Sequence, residues 1–175
     1  MERLEPYGAP RPALPETVLE IERWLGRFPR RESMVVADLG RGLGDRFALL
    51  ATRFGELIPI DNLDGLVRRF DAVVAIDSIG GPRLSDFDRT LARIRDCVVE
   101  GGMLLATFPA APKSTIARAM LLDGGDETPI PPAFHEVELQ YRLQRAGLRG
   151  AVIRRAADRN GREMLVCRAV RRADN

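Results

Sequence analysis

The chain has 175 residues, of which 45% are hydrophobic and 30% charged, and its formal net charge is +2. That length and balance fit one folded domain around one core and exclude a disordered polyelectrolyte. No apolar run approaches the length that crosses a bilayer, and Met1–Pro15 carries acids and prolines rather than a basic-then-apolar leader, so a cytoplasmic protein is expected.

Residues 1–14, with Pro6, Pro10 and Pro12, read as an irregular arm. Val18, Ile21, Leu25 and Phe28 recur at helical spacing, with Trp24 beside them, and predict a helix over 15–28. Met34–Leu39 is a short apolar run, as in a buried parallel strand. It leads into Asp38-Leu39-Gly40-Arg41-Gly42-Leu43-Gly44, where alternate glycines let the chain turn tightly and let a ligand approach the backbone. Phe47, Leu50, Ala51 and Phe54 form one face of a helix that Gly55 ends.

Leu57–Asp61 and Phe70–Ile76 read as the next two strands. Ser85 is expected to cap a helix carrying Leu91, Ile94 and Val98, closed by Gly101-Gly102 ahead of a strand at Met103–Phe108. A short helix is predicted at Ser114–Leu122, a mobile loop at Asp123–Glu127, and a longer helix from Phe134 to Ala146. Strands at 148–157 and 163–170 follow, with Asn160-Gly161 as the hairpin signal between them. Strands alternating with helices imply a mostly parallel sheet covered on both faces, with the last strand antiparallel to its neighbour.

Side chains that could carry chemistry are few. Cys97 and Cys167 lie in apolar segments and read as buried thiols; no Cys/His cluster has metal-ligand spacing, so no metal is expected. Arg154-Arg155 and Arg171-Arg172 have no aromatic platform beside them, so a nucleic-acid partner is not indicated. His135 is the only histidine and opens the 134–146 helix.

In this order the segments from Met34 to Arg172 resemble class I S-adenosylmethionine-dependent methyltransferases of the small-molecule type. Three stretches carry the resemblance: Asp38–Gly44; Phe70–Ala75 with the later Gly101-Gly102-Met103-Leu104-Leu105; and Phe134–Leu148 with its Ala-Gly-Leu turn. The resemblance implies a Rossmann-like three-layer α/β sandwich ending in an antiparallel hairpin, preceded by an N-terminal arm and helix at 1–33. It implies that the methionine end of S-adenosylmethionine lies against Asp38, Gly40, Arg41, Gly42 and Gly44. It places Asp61 where a strand-end carboxylate bridges the ribose hydroxyls, and Asp77 and Ser78 near the transferred methyl group. Asp77 or His135 would then be the base that takes a proton from the acceptor.

The chain also departs from that pattern. Asp61 and Asp71 stand ten positions apart, too close for the helix and strand the family places there, which predicts six strands rather than seven. Pro59 lies inside the preceding strand and fits only an edge, as the loss of the outer strand requires. The missing unit normally supplies one wall of the adenine pocket, and Asn62–Asp64 are the residues in line to replace it. Arg41 stands where the family commonly has a small residue. Two functions follow: a methyltransferase for a small molecule, or a degenerate methyltransferase-like domain that has lost catalysis and serves as a partner-binding or regulatory subunit, in a homodimer or with another protein.

Overall fold

The apolar runs become strands β1 (Val35–Leu39), β2 (Glu56–Ile60), β3 (Phe70–Ala75), β4 (Val98–Pro109), β5 (Leu148–Ala157) and β6 (Glu163–Arg171) in the computed structural model, which describes residues 15–29, 31–81, 83–113 and 133–172. The expected arm at 1–14, the helix at 114–122 and the loop at 123–127 lie outside the described residues. The strands form one six-stranded sheet in the order β2-β1-β3-β4-β6-β5. The β1/β2, β1/β3 and β3/β4 pairs are parallel, and β6 runs antiparallel to both β4 and β5.

Helices α1 (Glu16–Leu25), α2 (Phe47–Ala51), α3 (Leu84–Cys97) and α4 (Glu136–Arg145) cover the two faces. Ile21, Trp24 and Leu25 of α1 and Leu50 of α2 bury against Val36, Ala72, Val74, Leu105 and Val166. On the other face Phe87, Leu91 and Ile94 of α3 and Leu139 and Leu143 of α4 bury against Ala37, Val73, Ala75, Leu104, Ala106 and Cys167. Alternation along each strand thus feeds two separate cores, one per face. Both cysteines are buried thiols, and burial pushes the Cys167 thiol up to about 12. No helix among the described residues is long and apolar enough to cross a membrane.

The outer strand–helix unit is absent, as the spacing from Asp61 to Asp71 predicts. Only residues 61–69 connect β2 to β3, with β1 lying between these strands. Five-residue strands and two strand spacings put the ends to be joined about 20 Å apart. Nine residues wound as a helix reach only about 14 Å, whereas an extended chain of that length reaches about 30 Å. The connection is accordingly non-helical, and Leu63 and Leu66 pack beneath it against the α3/α4 core. The β2-to-β3 crossing therefore lies on the same face as the α3 crossing from β3 to β4. The α2 crossing from β1 to β2 uses the opposite face and travels the opposite way, so all three share one hand.

β2 is the sheet edge, and Pro59 defends it. The Glu56 and Gly40 N–H groups donate to the Met34 and Ile60 carbonyls, so residues 56, 58 and 60 turn their backbone groups toward β1 and 57 and 59 turn theirs outward. Pro59 has no N–H, which breaks the outward row of donors that an added strand would need.

Helix α1 ends at Leu25 rather than Phe28 and α2 at Ala51 rather than just before Gly55, and three further boundaries differ from expectation. Helix α3 starts at Leu84, whose side chain is 1% exposed; that burial draws the first turn back past Ser85, and the extended Arg83 takes the cap position. α3 also ends at Cys97 rather than at Gly101-Gly102. The β-branched Val98 and Val99 already belong to β4, and the glycines lie within it, beside a register shift against Phe70–Ala72. A Cβ on Gly102 would stand 2.7 Å from the Asp71 carbonyl oxygen, so glycine is needed there for the close approach of β3. Helix α4 starts at Glu136 because Phe134 is held by β4: its N–H donates to the Pro109 carbonyl and its own carbonyl accepts from Ala111, both at 2.8 Å.

Phe134 completes an aromatic cluster, stacked on Phe87 at 5.0 Å between centroids, with Phe108 edge-on to both. Phe87 is fully buried. Replacing it with alanine is expected to lower unfolding stability by about 3–5 kcal/mol, measured as a shift of the urea midpoint at unchanged slope.

Candidate functional site

β1 ends in a carboxylate with no exposed surface. Asp38 is 0% exposed, and the Leu43 N–H donates to its two oxygens at 3.3 and 3.4 Å. Burial pushes the Asp38 carboxyl up to about 6; the N–H groups of Leu43 and Gly42 and the charge of Arg41 pull the other way without prevailing. The chain then turns sharply: Gly40, Arg41 and Gly44 have φ of 73°, 58° and 51°. For Arg41 this left-handed conformation costs on the order of 1 kcal/mol, because it carries a Cβ.

Two contacts fix the turn against the end of β3. A Cβ on Gly40 would lie 2.7 Å from Ser78 Cβ, and one on Gly42 would lie 2.5 Å from Ile76 Cβ. Only glycine allows residues 76–78 to seat directly on the turn. The Ser78 hydroxyl oxygen is buried in this seat without a hydrogen-bond partner. On the other side, a hollow of about 330 Å³ is lined by Asp38, Arg41, Gly44, Phe47 and Pro59.

Asp61 follows β2, and its Oδ1 accepts from Arg41 Nε at 3.0 Å. Both side chains are open to solvent, 68% exposed for Arg41 and 72% for Asp61. Such a pair contributes about 1 kcal/mol or less. Asn62–Asp64 do not rise beside it as a wall: Leu63 packs downward into the core, the Asn62 carboxamide accepts the Asp64 N–H, and Asp64 pairs with Arg93 of α3.

Asp77 is exposed and left-handed, with φ of 49°. The Thr107 hydroxyl of β4 accepts the Asp77 N–H at 3.0 Å and donates to Asp77 Oδ1 at 3.3 Å. His135 stands at the cap of α4, just beyond the Ala110–Phe134 bridge, and its Nε2 is buried without a partner. Arg155 holds this end of α4 in place. Its guanidinium donates to both oxygens of Glu136, to the Ala111 carbonyl and to Glu163, and the charge-assisted bonds hold the Glu136 carboxyl below the usual range.

Asp38, Arg41 and Gly44 therefore share one hollow, with Asp61 at its rim through Arg41. Asp77 and His135 follow the neighbouring strands β3 and β4 at the same C-terminal edge of the sheet, where ligands of such sheets bind. Among the described residues no group of three or more His, Cys, Asp or Glu could hold a metal ion. Three participants escape a reading of the sequence alone. Thr107 is one, although a single hydroxyl in the run Leu104-Leu105-Ala106-Thr107-Phe108 is its signal. The others are Glu22 and Arg46, a pair at 2.6 and 3.0 Å that ties α1 to the segment just after the turn.

No protein-family model matches the chain, and no curated protein matches it in sequence. Solved structures do match in fold. The magnesium protoporphyrin IX methyltransferase of Synechocystis PCC 6803 with bound S-adenosylhomocysteine superposes with a TM-score of 0.63 at 17% identity, over 89% of this chain and 82% of that one. The 1,6-didemethyltoxoflavin-N1-methyltransferase of Burkholderia thailandensis, with its substrate and S-adenosylhomocysteine, gives 0.60 at 20% identity, over 90% and 77%. The phosphoethanolamine N-methyltransferase 2 of Haemonchus contortus with S-adenosylmethionine gives 0.65 at 13% identity, over 91% and 54%. The fold is that of class I S-adenosylmethionine-dependent methyltransferases.

Asp38 makes stability depend on pH with a defined sign. Its folded-state value of about 6 lies above the ordinary 3.8, so the folded protein holds this proton more tightly than the unfolded chain does. Its contribution to stability is full below about pH 4 and is lost as pH rises to about 6, by on the order of 3 kcal/mol. Asp38→Asn keeps the shape and removes the ionisation. Urea midpoints of the two proteins at a series of pH values should converge near pH 4 and separate by pH 7, with the variant the more stable.

Proposed function

We propose that this chain binds S-adenosylmethionine at the Gly40–Gly44 turn and methylates a small molecule. The observation that carries this reading is the turn itself: a buried acid, left-handed residues at 40, 41 and 44, and a hollow beside them, on a sheet whose relatives in fold carry that cofactor or its product.

The residues present fit the group. Gly44, with nothing within 4 Å of where a Cβ would stand, offers open backbone, and the Ser78 hydroxyl against Gly40 lacks a partner. Asp38 offers a carboxylate whose burial a cationic ligand would offset. Asp61 offers a strand-end carboxylate for two ribose hydroxyls. Its bond to Arg41 is weak enough for those hydroxyls to displace, since two charge-assisted bonds outweigh one exposed ion pair. When bound, S-adenosylmethionine supplies a methyl group on a sulfonium, open to direct displacement. The protein's part is alignment of the acceptor and removal of its proton, for which Asp77 and His135 are the candidate bases at the C-terminal edge.

Three observations favour a second reading, a methyltransferase-like subunit without catalysis that acts through a partner or a second copy of itself. The adenine wall is missing, residues 62–64 do not rebuild it, and Arg41 occupies the acid that would hold the ribose. The two readings separate at Arg41. If Arg41 closes the site, Arg41→Ala restores ligand binding; if the site works as proposed, the wild type already binds.

Isothermal titration with S-adenosylmethionine and S-adenosylhomocysteine is expected to give micromolar dissociation constants for the wild type. Asp61→Ala should weaken both by about tenfold or more, the loss of charge-assisted bonds worth about 1.4 kcal/mol or above. Near pH 6, titrations in buffers of different ionisation enthalpy should show proton release on S-adenosylmethionine binding, absent in Asp38→Asn. No heat and no thermal shift at millimolar ligand would defeat the methyltransferase reading.

A further inference from the structure

The methyltransferase reading assigns no task to Thr107, yet this side chain is placed with unusual care. It is 2% exposed, near the end of β4, in a stretch whose neighbours Leu104, Leu105, Ala106 and Phe108 are all buried and apolar. Its hydroxyl works in both directions: it accepts from the Asp77 backbone and donates to the Asp77 carboxylate. Asp77 is one of two non-glycine residues with positive φ among the described residues; the other, Arg41, lies in the glycine turn. An aspartate in that conformation is held there against a backbone cost, and Thr107 supplies the two bonds that hold it.

The consequence reaches the turn. Asp77 is followed directly by Ser78, whose Cβ occupies the space a Cβ on Gly40 would need. Ile76, on its other side, stands against Gly42 in the same way. The backbone conformation of Asp77 therefore sets where Ser78 presses on Gly40. A clasp on residue 77 is also a clasp on the cofactor turn, through one peptide unit and one side-chain contact.

The geometry points to Thr107 as a positioning residue of the ligand site: its hydroxyl clasps Asp77 in the left-handed conformation, which directs the carboxylate through the unclasped Oδ2 and braces Gly40 through Ser78. This role rests on the reading of the turn as the S-adenosylmethionine site.

A purely structural threonine and a positioning one behave differently when the hydroxyl is removed. Asp77 is exposed, so water can satisfy its N–H and its carboxylate in Thr107→Val, and valine fills the same buried volume. Folding stability without ligand should change little, while residue 77 gains access to other backbone conformations and the brace on Gly40 loosens.

The test uses the full chain, S-adenosylmethionine and S-adenosylhomocysteine as probes, and three proteins: wild type, Thr107→Val and Thr107→Ser. Thr107→Val should bind both ligands about tenfold more weakly at a nearly unchanged melting temperature, and its Asp77 amide should exchange with solvent faster by about tenfold or more. Thr107→Ser, which keeps the hydroxyl, should restore both the affinity and the slow exchange. Thr107→Val binding as tightly as wild type, a loss of melting temperature with affinity intact, or a serine variant that rescues nothing each overturns the role. Wild-type protein that binds neither ligand overturns the methyltransferase reading itself, and the ligand-directed role falls with it; failure of the clasp alone shows as wild-type binding that Thr107→Val leaves intact.

Discussion

Everything at the C-terminal edge of this sheet depends on how closely two stretches of backbone come together. Residues 40–42 and 76–78 meet where no side chain at 40 or 42 has room, because Ser78 and Ile76 already fill the space beside Gly40 and Gly42. That contact joins the ends of the adjacent strands β1 and β3, buries Asp38 beneath the turn, and fixes which way the turn faces. The cost is concentrated in the same few residues: a carboxyl that burial pushes up to about 6, a left-handed arginine, a left-handed aspartate and an orphaned serine hydroxyl. The two left-handed non-glycine residues among those described, a buried carboxyl and a buried serine hydroxyl without a partner thus meet at one contact.

Two surroundings hold the contact in place. From below, the Asp77 backbone is clasped by Thr107; from the side, α1 is tied to the segment after the turn by Glu22 and Arg46. Helix α1 is joined to the hairpin as well, since Glu16 accepts the Ala157 N–H and Glu20 pairs with Arg154. The N-terminal helix thus bridges the glycine turn and the far end of the sheet. At the other margin Asp61 and Arg41 face solvent with little holding them. The turn is braced on two sides, whereas Arg41 and Asp61 are joined by one exposed ion pair.

The sequence made the architecture readable because strand and helix periods are long-range statements repeated by many residues. Val35–Leu39, Phe70–Ala75 and the 148–171 hairpin stand where the alternation and the Asn160-Gly161 signal put them. Pro59 and the short step from Asp61 to Asp71 foretold an edge strand and a missing unit, since a chain of that length has no other solution. What the sequence did not disclose depends on a single local contest. Leu84 against Ser85 for the first turn of α3 was decided by burial, and Gly101-Gly102 as helix stop against bulge was decided by the approach of Asp71. The glycine turn was visible as a motif, but the partners of Arg41, Asp77 and Ser78 are contacts between distant segments, which no local pattern encodes. His135 could be placed at the start of a helix, yet nothing in its neighbours announced the Arg155 network that fastens that helix to β5, β6 and the segment just after β4.

The nine-residue passage beneath β1 has a bearing on the history of this fold. Without a further strand and helix at this margin, the remaining pairings still form one sheet and the crossings still share one hand. Residues 61–69 are too few to be wound into a helix and still reach β3, so no succession of point changes restores the excised wall. Any descendant that needs a better grip on a flat aromatic ligand must find it in side chains already at the rim. The trimmed edge therefore presents exposed side chains, Arg41 and Asp61 among them, where a further strand and helix would otherwise have presented a packed surface.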